Sequence, residues 1–331
     1  MKAPITLLLA AVGFAVAAPP PLPAPVRIIP LPGVEGRFDH ASYDPRTNRL
    51  FFAALGNNTV EIVDVVKATR VHTVTGLKKP TGVLFLAEWN MFAVANGDDG
   101  TCRFFDGADY SERGRITDVE DADNLRFDAQ AKMIYLGYGE GALAVIDPAT
   151  MKLRGRIALG KHPESFQIEA KGPRIFVNIP DAHQIAVVDR VAGKVTSTWL
   201  LEGVSANFPM ALDEGQDRLF IGCRQPARLL SFDIRTGKKA AEIPLSGDVD
   251  DLFFQPGSNR LYASCGEGFV DVIQAGSGSG AALSVSLHLP SAAGARTSFF
   301  NAAEGWLCLA VPHRGSQSAE LRLLRTPMPK D

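Results

Sequence analysis

From residue 26 onward the chain is a succession of short runs in which apolar and polar positions alternate, broken at intervals by turn residues. Residues 48–73, NRLFFAALGNNTVEIVDVVKATRVHT, show the unit. Residues 50–54 form an apolar, aromatic run, and Leu55, Gly56, Asn57 and Asn58 carry turn chemistry. Residues 59–65 then alternate, and a second turn at residues 67–69 leads into another β-rich run. A period of two bounded by Gly/Asn turns predicts antiparallel strands joined as a meander, not helices. The same pattern returns as MIYLGYGEGALAVID at 133–147, RIFVNIPDAHQIAVVD at 174–189 and RLFIGCRQPARLLSFD at 218–233.

Each unit's first strand ends near an Asp-Pro or equivalent turn. The residue four before that turn is His40, Thr81, Asn124, Ser165, Pro209, Asp251 and Thr297 in successive units, at spacings of 41, 43, 41, 44, 42 and 46. Such a period fits a four-stranded blade. A second marker agrees: Asp64, Asp106, Asp147, Asp189 and Asp233 each close a third strand, with Gln274 in that place in the sixth unit. An Asp there accepts backbone N–H bonds in the following turn. The seventh unit lacks a fourth strand, and residues 26–31, VRIIPL, supply one from the other end of the chain. The prediction is an all-β chain, a single seven-bladed β-propeller over residues 26–326 with about 28 strands, closed by pairing the N-terminal strand with the last blade. The Gly/Ser-rich residues 276–280 read as an expanded turn, and residues 327–331 as a C-terminal tail.

The first 25 residues follow a different rule. Lys2, an apolar run over residues 5–16 and the Ala15-Val16-Ala17 site predict a signal peptide at 1–17, and Pro-rich 18–25 a stiff leader. The mature chain is therefore expected to be periplasmic or secreted and monomeric, with no membrane span once the signal is cleaved. A net charge of −2, with scattered basic residues, provides no field for nucleic acid. Of the four cysteines, Cys102 falls in a third strand and Cys223, Cys265 and Cys308 in second strands, where buried free thiols are expected. No C-x-x-C or C-x-x-C-H occurs, so no haem attachment is predicted.

Candidate chemistry lies where the copies differ. First strands of propeller blades line the central channel, and their starts open at one mouth. The residues there are Asp39-His40, Pro80-Thr81, Asp123-Asn124, Glu164-Ser165, Phe208-Pro209, Asp250-Asp251 and Arg296-Thr297. Further along, the same strands turn apolar at Phe127, Ile168, Leu212, Phe254 and Phe300. Carboxylates gathered in a narrow mouth repel, so either their pKa values rise or a cation holds them. Oxygen donors from Asp39, Asp123, Glu164 and Asp250 suit a hard divalent cation such as Ca²⁺ or Mg²⁺, the only cofactor suggested. Arg296 could grip a carboxylate or phosphate. The second-to-third-strand turns on that face add Asn57, Asp98, Tyr138, His183, Arg224, Glu267 and His313 as rim candidates. Gly-Glu-Gly at 139–141 and 266–268 precedes no helix and no Lys-Ser/Thr, which argues against nucleotide binding.

The second-strand wording LFFAALGNN, MFAVANGDD, IYLGYGEGA, IFVNIPDAH and LYASCGEGF resembles the exported seven-bladed propellers built from YVTN-type repeats, the YncE-like proteins. The resemblance implies the ring fold, and similar rings occur in quinoprotein, nitrite-reducing and lactonase enzymes. With no nucleophile beside an evident base, the first expectation is an exported binding or scaffold protein recognising a small ligand, an ion or a periplasmic protein at the mouth. The alternative is a lactonase- or lyase-like enzyme using His40 as acid/base, with Asp39, Asp123 or Glu164 orienting it or holding a metal. By resemblance alone, a non-catalytic subunit of a periplasmic redox assembly is a third reading.

Overall fold

The computed structural model describes residues 27–278 and 280–326. The predicted signal peptide, the Pro-rich leader, Val26 and the tail at 327–331 lie outside the described residues. Among those described, strands β1 to β28 form seven antiparallel sheets of four strands each. The first strands are β2 (Ala41–Asp44), β6 (Pro80–Leu86), β10 (Leu125–Asp128), β14 (Phe166–Ile168), β18 (Ser205–Asp213), β22 (Val249–Gln255) and β26 (Thr297–Asn301). Each touches the next, and β26 touches β2, so the seven make a closed hub around the channel.

Closure is as the pattern predicts. β1 (Arg27–Pro30) pairs antiparallel with β28 (Glu320–Arg325), Ile29 opposite Leu321, and the Leu31 N–H donates to the Ala319 carbonyl at 2.9 Å. Ile29 and Leu31 are fully buried in a cluster with Trp306, Cys308, Leu50 and Phe52, which joins the last blade to the first. Elsewhere, too, the core lies between blades. Phe51 of blade 1 stacks on Phe85 of blade 2 at 5.4 Å and meets Phe92 at 4.8 Å, the sheet-on-sheet packing that alternation encodes. Phe127, Ile168, Leu212, Phe254 and Phe300 are half-buried against these cores. All four cysteines are free and buried, and burial pushes the Cys102 and Cys223 thiols up to about 12.

The third-strand carboxylates behave as predicted. Asp64 accepts from the Val66 and Lys67 N–H groups at 3.0 and 2.8 Å, and Asp106, Asp147, Asp189 and Asp233 repeat the arrangement. Gln274 instead donates to the Ser258 and Asn259 carbonyls at 3.0 and 3.2 Å.

At the ends of the first strands away from the mouth, carboxylates serve the turns. Asp213 accepts from Arg218 Nε and Nη2 at 3.0 and 2.7 Å and from the Gly215 N–H at 3.1 Å. Asp128 accepts from the Gln130 and Ala131 N–H groups and pairs with Arg190 Nε at 2.9 Å. Glu169 pairs with Arg174 at 2.5 Å. Acidic groups at this end are turn anchors held by backbone N–H groups and arginines.

Candidate functional site

The mouth is built by backbone that continues the strand ladder past each strand's nominal start. The Asp39 N–H donates to Ala53 O at 2.8 Å, Asp123 to Gly137 O at 2.9 Å and Glu164 to Asn178 O at 3.0 Å. Side chains there depart from the two-residue period, so consecutive residues such as Asp39 and His40, or Glu164 and Ser165, both line the channel.

Every blade contributes to one cavity of about 230 Å³. Blade 1 supplies Asp39 and His40, with Arg37 from the loop before it; blade 2 supplies Lys79 and Thr81. Blade 3 brings Asp121, Asp123 and Asn124, and blade 4 His162, Glu164 and Ser165. Phe208 and Arg224 come from blade 5, Asp250 from blade 6 and Arg296 from blade 7.

One side of the cavity is neutralised internally. Arg296 reaches Asp248 at 2.7 Å and Asp250 at 3.0 Å. Arg224 pairs with Asp250 too, donates to the Val249 carbonyl at 2.8 Å and lies 4.0 Å above the Phe208 ring. Arg37 is the loosest cation, half-exposed and 3.9 Å from Asp39.

The opposite side is acidic and under-compensated. Among the described residues neither the Asp123 nor the Glu164 carboxylate has a hydrogen-bond donor or cationic partner. Burial, with the charges of Asp250 and Asp39, pushes Glu164 up to about 8. Burial and the charges of Glu164 and Asp39 raise Asp123 well above the carboxylate range. Burial lifts Asp39 to about 6 against the pull of Arg37 and Arg296. Asp250 is also raised by burial, against Arg224 and Arg296.

His40 is held neutral. Arg126 donates from Nη1 to Asn124 Oδ1, which turns the Asn124 amide so that Nδ2 donates to His40 Nε2 at 2.7 Å. Burial and then the Arg126 charge lower His40 to about 4, with Asp250 pulling the other way. This has a pH consequence. An unfolded His40 takes a proton near pH 6.5 and the folded one near 4, so its contribution to stability is full above pH 6.5 and is lost as pH falls toward 4. Neighbouring Asp39, with its raised pKa, acts in the opposite sense below pH 6. Thermal melts of His40→Gln should show an acid limb flatter than the parent's by on the order of 1–3 kcal/mol between pH 6.5 and 4. Identical limbs would mean that His40 titrates normally.

Three other mouth residues serve the scaffold. Thr81 Oγ1 donates to Ala122 O at 2.7 Å and Thr297 Oγ1 to Phe38 O at 3.1 Å, lacing neighbouring blades together. Asp251, raised by burial, accepts the Ser298 N–H at 2.7 Å. Of the turn residues, Arg224 enters the cavity. His313 sits in an adjoining recess that shares Arg37 and Arg296, paired with Glu35 at 2.8 Å. Tyr138 packs into the core between blades 2 and 3, and Glu267 accepts the Gly247 N–H at 2.6 Å. His183 is exposed on a tight turn at φ 48°, outside the cavity. Asn57 accepts the Glu35 N–H, and Asp98 lies 3.9 Å from Lys79.

The sequence reading did not single out Arg37, Lys79, Asp121, His162, Asp248 or Arg126. Four of them carried a signal. Arg37, Asp121, His162 and Asp248 each stand two residues before Asp39, Asp123, Glu164 and Asp250, so a step of two residues along extended backbone places them on the same face.

No family model and no curated protein matches the sequence. Solved structures do. A chain of the structure titled "Crystal Structure of Mitotic Checkpoint Complex" is 13% identical, with 98% of this chain and 99% of that one covered at a TM-score of 0.77. A chain of Kuenenia stuttgartiensis hydrazine synthase is 13% identical over 96% of this chain and 100% of that one, at a TM-score of 0.75. The RRP9 WD40 repeats are 12% identical over 92% and 99%, at a TM-score of 0.78. At such identities the likeness is one of fold, and the fold is the seven-bladed β-propeller. WD40 repeats reach it without the wording of this chain's units, because blade geometry depends on alternation and turns more than on particular side chains.

Proposed function

We propose that the protein is an exported, YncE-like propeller that binds a small polar ligand carrying an anionic group at the channel mouth. One observation carries the reading: all seven blades direct ionisable or polar side chains into a single cavity, while carboxylates at the far ends, such as Asp213 and Asp128, are engaged by turn N–H groups and arginines. A volume of about 230 Å³ lies below the roughly 300–1,000 Å³ of sites for drug-sized molecules, which favours a metabolite over a peptide or glycan. Arg37, the loosest cation, is the group for the ligand's anionic end, with Arg296 sharing its guanidinium between that end and Asp248 and Asp250, and the unpartnered carboxylates of Asp123 and Glu164 call for a cationic or hydrogen-bond-donating partner. A panel of small carboxylic acids and phosphates, screened by thermal shift, tests this. The expected result is a rise in melting temperature with at least one, reflecting about 2.7 kcal/mol of stabilisation at one hundred times its Kd, lost in Arg296→Ala and reduced in Arg37→Ala. A rise that survives both substitutions would place binding elsewhere.

One observation favours the enzymatic alternative in an altered form. Glu164, pushed up to about 8 by burial, is suited to act as a general acid, whereas His40 has its Nε2 lone pair occupied by Asn124. Turnover in a screen of lactones and sugar acids that disappears in Glu164→Gln and persists in His40→Gln would support that form.

A further inference from the structure

The acids of the mouth divide into two groups. Asp39 accepts from the His40 N–H at 3.1 Å and faces Arg37. Asp121 takes Lys79 at 3.3 Å, and Asp250 takes two arginines. Asp251 takes a backbone N–H. Only Asp123 and Glu164 are left without a donor among the described residues, and they stand side by side on adjacent blades.

A third bare donor joins them. His162 Nδ1 lies 2.8 Å from the Gly139 carbonyl. A carbonyl only accepts, so the proton sits on Nδ1 and Nε2 keeps its lone pair, with no protein partner among the described residues. This gives the Gly-Glu-Gly turn at 139–141 a task. Gly139, at φ 60°, has its N–H tied to Glu120 O at 2.8 Å and presents its carbonyl to the imidazole. A backbone carbonyl that fixes the tautomer of a histidine is the usual outer support of a metal-binding imidazole. One ligand atom each from Asp123, His162 and Glu164 lies within 4.8 Å of the others.

We infer that Asp123, His162 and Glu164 form a binding site for one divalent first-row transition-metal cation of the Zn²⁺ or Mn²⁺ class. The inference rests on the mouth being the ligand site and places a metal ion inside it. One imidazole and two carboxylates are the donor set of such ions, whereas Ca²⁺ takes six to eight oxygen ligands and Mg²⁺ an octahedron of oxygens. Ligands about 2.1 Å from a metal stand roughly 3–4 Å apart, so small side-chain rotations bring the three into range. The positions they leave open face the cavity that Arg37 and Arg296 also line, where a ligand anion would meet metal and guanidinium together. A second triad, Asp39, His40 and Asp123, is similarly close, but its imidazole Nε2 already accepts from Asn124 Nδ2, an amide locked by Arg126. A metal at that nitrogen would have to displace the amide.

The test uses the full mature chain, stripped with chelator and titrated calorimetrically with Zn²⁺, Mn²⁺, Ca²⁺ and Mg²⁺ in turn. One Zn²⁺ or Mn²⁺ per chain is expected, with Ca²⁺ and Mg²⁺ at least tenfold weaker. His162→Ala and Glu164→Gln should each lose tenfold or more in affinity, and His183→Ala, on an exposed turn outside the cavity, should change nothing. Asp123→Asn, near-isosteric and free of protein hydrogen bonds to break, provides the same reading if His162→Ala folds poorly. Co²⁺ absorption should report a nitrogen ligand in the parent that is missing from His162→Ala. Ca²⁺ binding as tight as Zn²⁺, an unchanged His162→Ala, or a greater loss in His40→Ala than in His162→Ala would each overturn the assignment. Stripped protein that ignores Zn²⁺ and Mn²⁺, yet keeps an Arg296-dependent shift with small carboxylates, removes the metal and leaves the ligand reading standing.

Discussion

Arg218→Met is expected to destabilise the ring by about 3–5 kcal/mol, read from the midpoint of urea unfolding. Arg218 is only 1% exposed and grips Asp213, itself 7% exposed, with two nitrogens. Its guanidinium also donates to the Gly276 carbonyl and lies 5.3 and 5.7 Å from the Phe220 and Phe254 rings. Met fills much of the same volume, so the loss reports a carboxylate left buried without its counter-charge. The double variant Arg218→Met with Asp213→Asn should recover part of the loss, because no ionised group is then stranded. Equal losses in the single and double variants would mean that packing, not charge, sets the cost.

Ile29→Asp should have an effect of similar or greater size, roughly 4 kcal/mol or more. Ile29 is the fully buried centre of β1, opposite Leu321, in the cluster that ties the last blade to the first. A carboxylate there has no partner in that cluster and would drive β1 off its neighbour, exposing the edge of β28. Ile29→Val, which removes one methyl, should cost only about 0.5–1.5 kcal/mol. Melting curves with limited proteolysis separate the two variants. A resistant, cooperatively melting Ile29→Asp would show that the ring holds without its N-terminal strand.

The wheel itself was legible in the sequence because blade packing leaves a mark on every strand: one face must be apolar, and the side-chain period is two. Asp64 and its four counterparts were legible for an equally local reason, since their acceptors and donors lie within three residues. The mouth was legible in part. Asp39, His40, Asp123, Glu164, Asp250 and Arg296 meet because they occupy equivalent positions at the hub, and equivalence can be read from spacing. Their partners could not be read in that way. Arg224 meets Asp250 from 26 residues away and Arg126 reaches His40 through Asn124, contacts set by how far each blade is rotated around the axis.

The rim residues scatter for a different reason. A turn residue facing the right side still has to choose between ligand, neighbour and core. Tyr138 buries its ring among Ala122, Leu125 and their neighbours, and Glu267 holds the loop at Gly247. Nothing in the spacing distinguishes these from Arg224. His162 is the reverse case. It stands in a loop, unlike any residue at its position in the other units, and its value appears only when the Gly139 carbonyl is seen to fix its proton.

The pairing of β1 with β28 also orders events in time. One half of the seventh blade's outer seam comes from residues 27–30 and the other from residues 320–325, nearly 300 residues further along. Until β28 is in place, Ile29 of β1 has nothing to lie against, and the ring stays open. Contacts spanning nearly the whole polypeptide form slowly, so this seam should be among the last to set. A folding intermediate would therefore hold completed blades without a closed wheel.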